Sequence, residues 1–385
     1  MADLRILSIF GTRPEAIKMA PVVDLLAKTP GVASRVCITA QHRQMLDQVL
    51  NIFNLQPDID LNLMQTDQAL ADLTANIFQS LDPILIEEKP DWVLMQGDTT
   101  TVMVAAICAF YHHINIGHVE AGLRTHEKYA PFPEEVNRRI TGTLADLHFA
   151  PTEHSRQNLL HEGVVDWRIK VTGNTVIDAL QKIVRLPMPA EVQVMLKERK
   201  VLNKERELIT VTAHRRESFG KPIEEICHAL RMIAETYPQQ VEMIYPVHLN
   251  PNIQEPVQRL LGGISNITLL NPIEYLPMVH LLRHSKLVLT DSGGIQEEAT
   301  GLGIPTLVLR DVTERPEGVE AGVLKLVGTN TQKIFNETCR LLENDKLYNS
   351  MTHAANPFGD GHAAERIIQA ILEFKELGLP VEFKP

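Results

Sequence analysis

Three acids stand where short apolar runs stop. Asp98 follows Trp92–Gln96 and Gly97, Glu120 follows Ile114–Val119, and Glu134, next to Glu135, opens a helical stretch after Pro131-Phe132-Pro133. Taken singly, Asp98 reads as a helix cap and Glu134 as an acid that complements a helix dipole. If the apolar runs are parallel strands, their carboxyl ends share one edge and the three acids share one site. There, unequal burial and mutual repulsion push carboxyl pKa values apart, which turns like groups into distinct proton acceptors and donors.

Other loops at comparable positions suit an anion. The first run ends in Gly11-Thr12-Arg13-Pro14-Glu15, where glycine permits a tight turn and proline suits the first turn of a helix. Arg13 and Lys18 then stand at a helix start, ready for a phosphate. This is neither the GxGxxG dinucleotide fingerprint nor a Walker loop. A later run ends in Thr290-Asp291-Ser292-Gly293-Gly294, followed by Ile295-Gln296-Glu297-Glu298. Ser292, Gly293 and Gly294 let backbone N–H groups approach a diphosphate at the positive end of a helix, and Glu298, one turn on, can accept bonds from ribose hydroxyls. His214 heads the basic loop Ala213-His214-Arg215-Arg216, where an imidazole can neutralise a departing phosphate or move a proton. The loops Tyr245–Pro251 and Thr313–Glu317 stand at similar strand ends. There is no HExxH and no CxxC, so no metal site and no cofactor are expected.

Holding these loops requires alternating strands and helices. Leu4–Phe10, Val36–Thr39, Trp92–Gln96, Ile114–Val119 and Leu147–Ala150 read as strands, separated by helices such as Ala16–Ala27, Ala69–Glu88 and Thr101–Tyr111. The rhythm pauses over Val184–Arg206, which holds Pro187, Pro189 and the charged run Lys197–Arg206 and reads as a linker with a surface helix. It restarts with Leu208–Thr212, Glu242–Tyr245, Ile267–Leu270, Leu287–Thr290 and Pro305–Leu309, and a helix over Ala363–Leu377 closes the chain. The fold class is therefore α/β, with two Rossmann-like doubly wound domains facing a cleft. The expected boundaries are 1–175, with 361–378 packing back on it, and 176–360.

Bulk properties narrow the class. The chain has 385 residues, 44% hydrophobic and 22% charged, enough for two cores. Its net charge of −11 argues against a nucleic-acid partner. The apolar start reads as a strand rather than a signal peptide, and no run has the length of a membrane span. The four separated cysteines read as reduced core thiols, which points to the cytoplasm.

In order along the chain, GTRPEAIK, AQHRQML, GDT, HVEAGLRT, PFPEE with NR, AHRRESFG, YPVHLNP, TDSGGIQEE and ERPE resemble the bacterial non-hydrolysing UDP-N-acetylglucosamine 2-epimerases, from Gly11 to Gly361. The resemblance implies a GT-B-like pair of domains, a homodimer, and interconversion of UDP-N-acetylglucosamine and UDP-N-acetylmannosamine without NAD or metal. The implied route eliminates UDP to give 2-acetamidoglucal, then re-adds it, in the service of cell-surface polysaccharide synthesis. By position, Asp98, Glu120 and Glu134 match the catalytic carboxylates and His214 the histidine near the leaving UDP. Asp98 and Glu120 lead as proton-transfer groups, with Glu134 orienting them or the sugar. Arg13 and Lys18 match substrate contacts; Ser292, Gly293 and Gly294 the diphosphate loop; Glu298 the ribose acid; and Arg315 the phosphate-side arginine. Ile273 and Met278 stand at the uracil pocket, where some relatives carry Gln and Phe. Gln41, Gln44, Arg215 and His248 match a second site, where UDP-N-acetylglucosamine acts as an activator. Three rivals remain on the sequence alone: a hydrolysing 2-epimerase, a glycosyltransferase of the same fold, and a non-catalytic nucleotide-sugar sensor.

Overall fold

The computed structural model describes residues 3–39, 43–63 and 68–376. The chain divides into two compact units, one running to Ala179 and resuming at Gly359, the other spanning Leu180–Phe358. The first holds β1 (Leu4–Phe10), β2 (Val32–Ile38), β3 (Ile59–Asp60), β4 (Trp92–Gln96), β5 (Asn115–Val119), β6 (Leu147–Ala150) and β7 (Ile169–Val171). They form a parallel sheet in the order β3-β2-β1-β4-β5-β6-β7. The second holds β8 (Glu207–Thr212), β9 (Val241–Pro246), β10 (Ile267–Leu270), β11 (Ser285–Thr290), β12 (Thr306–Val308) and β13 (Leu324–Leu326). Their order is β10-β9-β8-β11-β12-β13, again parallel. Each sheet winds outward in one direction and then in the other. The reversal lies between β1 and β4 in one unit and between β8 and β11 in the other, and such reversals are where doubly wound sheets open a crevice beyond their carboxyl ends.

The central strands are mostly apolar because helices cover both faces; every residue of β4 is buried. The helix Arg13–Lys28 starts on a capping box. The Thr12 hydroxyl accepts from the Glu15 N–H, and the Glu15 carboxylate accepts from the Thr12 N–H at 2.7 Å. The closing helix Ala363–Glu376 is anchored in the first unit. Asp178 accepts from the N–H groups of Ala363 and Ala364, and Phe374 meets the Trp92 ring edge-on at 5.0 Å.

Three differences from the sequence reading have physical causes. The helix Arg13–Lys28 begins three residues earlier than expected, because Pro14 fits its first turn. The short edge strands β3, β7 and β13 carry no apolar run, and β2 begins at Val32 with four residues that are not buried. The surface helix expected after Val184 is Ala190–Glu198, and it does more than link. It buries Val192 and Leu196 against Leu208, Ile244 and Leu281. The charges that follow serve a buried acid: Arg206 pairs with Glu242 at 2.7 Å and Arg199 approaches it at 3.8 Å.

Cys37, Cys108 and Cys227 are buried and Cys339 is half-buried, all as free thiols. Burial pushes the first three up to about 12. Among the described residues, no helix is long and apolar enough to cross a membrane, and no cluster of three ligating side chains could hold a metal.

Candidate active site

In the first unit the turns after β1 and β4 are clamped together. A Cβ at Gly11 would stand 2.0 Å from the Thr39 hydroxyl oxygen, so only glycine passes there. The Glu15 carboxylate accepts from the N–H groups of Gly11 and Thr12 at 2.8 and 2.7 Å and from the Thr99 hydroxyl at 2.5 Å. Burial pushes its carboxyl up against these bonds. Behind it, His118 Nε2 meets the Gly97 carbonyl at 2.8 Å, and burial pushes that imidazole down to about 4, so it stays neutral near pH 7.

The three acids sit beside this clamp in different surroundings. Asp98 ends the β4 turn, and its Oδ2 takes Arg138 Nε at 2.9 Å and a second guanidinium nitrogen at 2.6 Å. Asn137 donates to the Asp98 carbonyl at 2.8 Å. Glu120, after β5, is buried and sits in the left-handed region at φ 64°. That conformation costs about 1–3 kcal/mol, which the surrounding contacts must supply. Lys18 Nζ lies 2.5 and 2.7 Å from its two oxygens, Asn174 Nδ2 donates at 2.9 Å, and Gln96 Nε2 donates as well. Glu134 begins the helix Glu134–Leu144, and its buried Oε2 has no hydrogen-bond partner. Its neighbour Glu135 is fully buried and structural: it accepts from the N–H groups of Thr125 and His126 and from Arg138.

In the second unit the equivalent turns follow β8 and β11. Asp291 is fully buried, and its Oδ2 accepts from the backbone N–H groups of His214 and Arg215 at 2.7 and 2.8 Å, tying one turn to the other. His214 Nδ1 lies 3.4 Å from Asp291 Oδ1, and its ring stacks on His248 with centroids 5.7 Å apart and planes 14° apart. The helix Gly293–Gly301 begins after Ser292 with no side-chain cap, which leaves its first-turn N–H groups for another acceptor. A Cβ at Gly293 would stand 2.7 Å from the Arg315 guanidinium, whereas one at Gly294 would meet nothing within 4 Å. Arg315 is itself held, with Glu297 at 2.9 Å on Nε and Glu314 at 2.9 Å on another nitrogen. Thr313 braces this corner by donating to Gln296 at 2.9 Å.

Several sequence expectations change in detail. Lys18 is not a bare cation at a helix start, because it reaches across to Glu120. Arg13 is half-buried on the first turn. Glu297 takes Arg315, while Glu298 is buried beside it. Ile273 and Met278 are half-buried and pack into separate apolar clusters, one with Leu208 and Leu281, the other with Leu282 and Val288. Arg215 has a buried Nε without a hydrogen-bond partner, and His248 is exposed. Gln41 lies outside the described residues, as does the side chain of Gln44. Glu15, Gln96, Arg138, Asn174, Asp291 and Glu297 complete the two sites and were not singled out by sequence. Glu15 carries a signal, the Thr-x-x-Glu capping box. Asn174 carries none, since only folding brings it to an acid 54 positions earlier.

The family model described as UDP-N-acetylglucosamine 2-epimerase matches residues 24–372. A protein of that name from Escherichia coli O157:H7 is 55% identical over 370 residues, covering 96% of this chain and 98% of its own. Another from Yersinia pestis is 54% identical over 373 residues, covering 96% and 98%. The crystal structure of UDP-GlcNAc 2-epimerase from Neisseria meningitidis, bound to UDP-GlcNAc, superposes with a TM-score of 0.87 at 47% identity, covering 96% of this chain and all of that one. The enzyme from Methanocaldococcus jannaschii, in complex with UDP-GlcNAc and UDP, gives 0.78 at 32% identity, covering 96% and 99%. The two doubly wound units are thus of the GT-B-like kind.

Proposed function

The chain belongs to the UDP-N-acetylglucosamine 2-epimerase family of isomerases, and from that premise we propose that it interconverts UDP-N-acetylglucosamine and UDP-N-acetylmannosamine by elimination and re-addition of UDP. A base takes the C2 proton, the C2–H electron pair forms the C1–C2 double bond, and the C1–O pair departs with UDP. The 2-acetamidoglucal then receives a proton at the opposite face of C2 as UDP re-adds at C1. Asp98 and Glu120 are the proton-transfer pair, and Glu134 orients them or the sugar. The Ser292–Gly294 turn, with His214, takes the developing charge on UDP. The observation that carries this reading is the set of carboxylates at the ends of β4 and β5, each with its own donors, since an anion binder gains nothing from them. The supporting test is UDP-N-acetylglucosamine alone in deuterium oxide, followed by proton NMR. Deuterium at C2 of recovered UDP-sugar is expected; free N-acetylmannosamine would mean hydrolysis, and no exchange would mean a sensor or a transferase awaiting an acceptor.

The reaction needs neither NAD nor a divalent metal. Desalted, chelator-treated enzyme is expected to keep its rate, and full dependence on either addition would sink the elimination route. The chain works as a homodimer in the cytoplasm and supplies polysaccharide synthesis. Ile86, Phe110 and Tyr111 support the dimer, being 53%, 55% and 65% exposed at the ends of two helices that pack together.

A second UDP-N-acetylglucosamine acts as activator through Gln41, Gln44, Arg215 and His248. A ligand shifts a conformational equilibrium only by its difference in affinity between states. Forward turnover is therefore expected to be sigmoidal, and turnover of pure UDP-N-acetylmannosamine slow until a little of its epimer is added. Gln44→Ala and His248→Ala should blunt that response and largely spare UDP binding. A hyperbolic forward curve with prompt reverse turnover would remove the activator.

A further inference from the structure

We propose that Asp291 is the positioning residue of His214, holding the proton of the neutral imidazole on Nδ1 so that Nε2 is the nitrogen offered to the nucleotide. The inference rests on the catalytic reading of His214.

The argument begins with an incomplete carboxylate. Asp291 is fully buried at the carboxyl end of β11. Its Oδ2 is satisfied by the N–H groups of His214 and Arg215, while its Oδ1 has no hydrogen-bond partner. A buried carboxylate oxygen left in that state is costly. The group facing it is His214 Nδ1, 3.4 Å away, close enough for a small ring rotation to close a hydrogen bond. A bare Nδ1 there would set two lone pairs against each other, so the proton belongs on Nδ1.

The other neighbours limit what the ring can do. His248 stacks on one face and resists a ring flip. Tyr245 donates to the Ala213 carbonyl at 2.8 Å and fixes the backbone just before His214. Among these groups, Arg215 and a protonated His248 oppose positive charge on His214, and Asp291 favours it. Asp291 therefore supplies both the orientation of the ring and the compensation for an imidazolium beside a departing phosphate. No sequence motif announces this pair, because the two residues are 77 positions apart and meet only at the β8/β11 reversal.

Asp291→Asn separates this role from simple loop support. Its amide oxygen can take the place of Oδ2 and keep both backbone bonds. Its NH₂ then replaces Oδ1 and points an N–H at Nδ1, which moves the ring proton to Nε2. In a serine protease triad the same exchange lowers kcat by about 10⁴-fold with the geometry intact. The expected result here is a kcat loss of at least about 10²-fold. UDP affinity should stay within about threefold, less than 1 kcal/mol. ¹⁵N-histidine NMR should show His214 as the Nδ1–H tautomer in the unaltered protein and as Nε2–H in the variant. If the variant does not fold, the tautomer of the unaltered protein decides alone, and an Nε2–H ring overturns the proposal. So does a parallel fall of kcat and UDP affinity with no tautomer change, which would make Asp291 a loop support only. A wild-type rate in His214→Gln would instead remove the catalytic reading of His214, a failure the NMR result does not share.

Discussion

Asp98→Asn is expected to lower turnover by about 10²–10⁴-fold and to leave the fold nearly as stable as before. Both described Arg138 contacts fall on Oδ2, so an Asn oxygen placed there keeps them while the proton-accepting carboxylate is gone. Glu120→Gln should lose as much activity but should also lose stability. Both of its oxygens are occupied: Lys18 touches each, with Asn174 on one and Gln96 on the other. Wherever the Gln amide places its NH₂, it meets donors, and Lys18 is left facing a neutral group in a buried place. Breaking a buried pair on one side costs about 3–5 kcal/mol. The double variant Lys18→Met with Glu120→Gln removes the stranded charge and should recover part of the melting temperature without recovering turnover. Thermal melts beside steady-state kinetics make the comparison. Either acid variant is also expected to release free UDP and 2-acetamidoglucal, since return of the proton is impaired. Near-normal rates in both single variants would reduce these acids to helix and turn supports.

The sequence exposes what lies on the main axis of each sheet and conceals what lies across it. β1, β4 and β6 match their apolar runs to the residue, because buried parallel strands need largely hydrophobic stretches. The two-residue β3 has nothing to announce it, being fixed by pairing with Cys37 and Ile38. The same division holds for the sites. Asp98, Glu120 and Ser292–Gly294 are legible because they directly follow strands. Lys18, Arg138 and Arg315 are legible as charges, but their partners are not. Each is tied to an acid on another segment, which makes two apparent anion ligands, Lys18 and Arg315, parts of ion pairs, as is Arg138, to which the sequence assigned no role. Composition registers such residues only as charge, and their pairing is a property of the closed fold. Glu242 with Arg206 repeats the lesson away from the site, where a charged stretch resembling a linker neutralises a buried acid.

The two adjacent glycines of the proposed nucleotide loop should fail in different ways. Gly293→Ala puts a Cβ 2.7 to 3.1 Å from the Arg315 guanidinium, and Arg315 cannot swing aside while Glu297 and Glu314 hold it. Overpacking of this kind costs about 1–3 kcal/mol, so this variant should melt early and bind UDP poorly through a displaced Arg315. Gly294→Val meets no protein atom within 4 Å of its Cβ, so the melting temperature should barely move. Its branched side chain instead fills the space over the uncapped first turn of Gly293–Gly301, the N–H groups proposed to receive the diphosphate. Hydrogen bonds to a charged group contribute about 1.5–3 kcal/mol each, so losing one should weaken UDP about 10- to 150-fold. Arg315→Ala forms the third arm. It strands Glu297 and Glu314 without their cation, and repulsion from those acids should weaken UDP further while the fold loses stability. Calorimetry with UDP, read against the melting temperature of each variant, separates the three. Unchanged UDP affinity in Gly294→Val would place the diphosphate on some other turn and remove the role assigned to Ser292–Gly294.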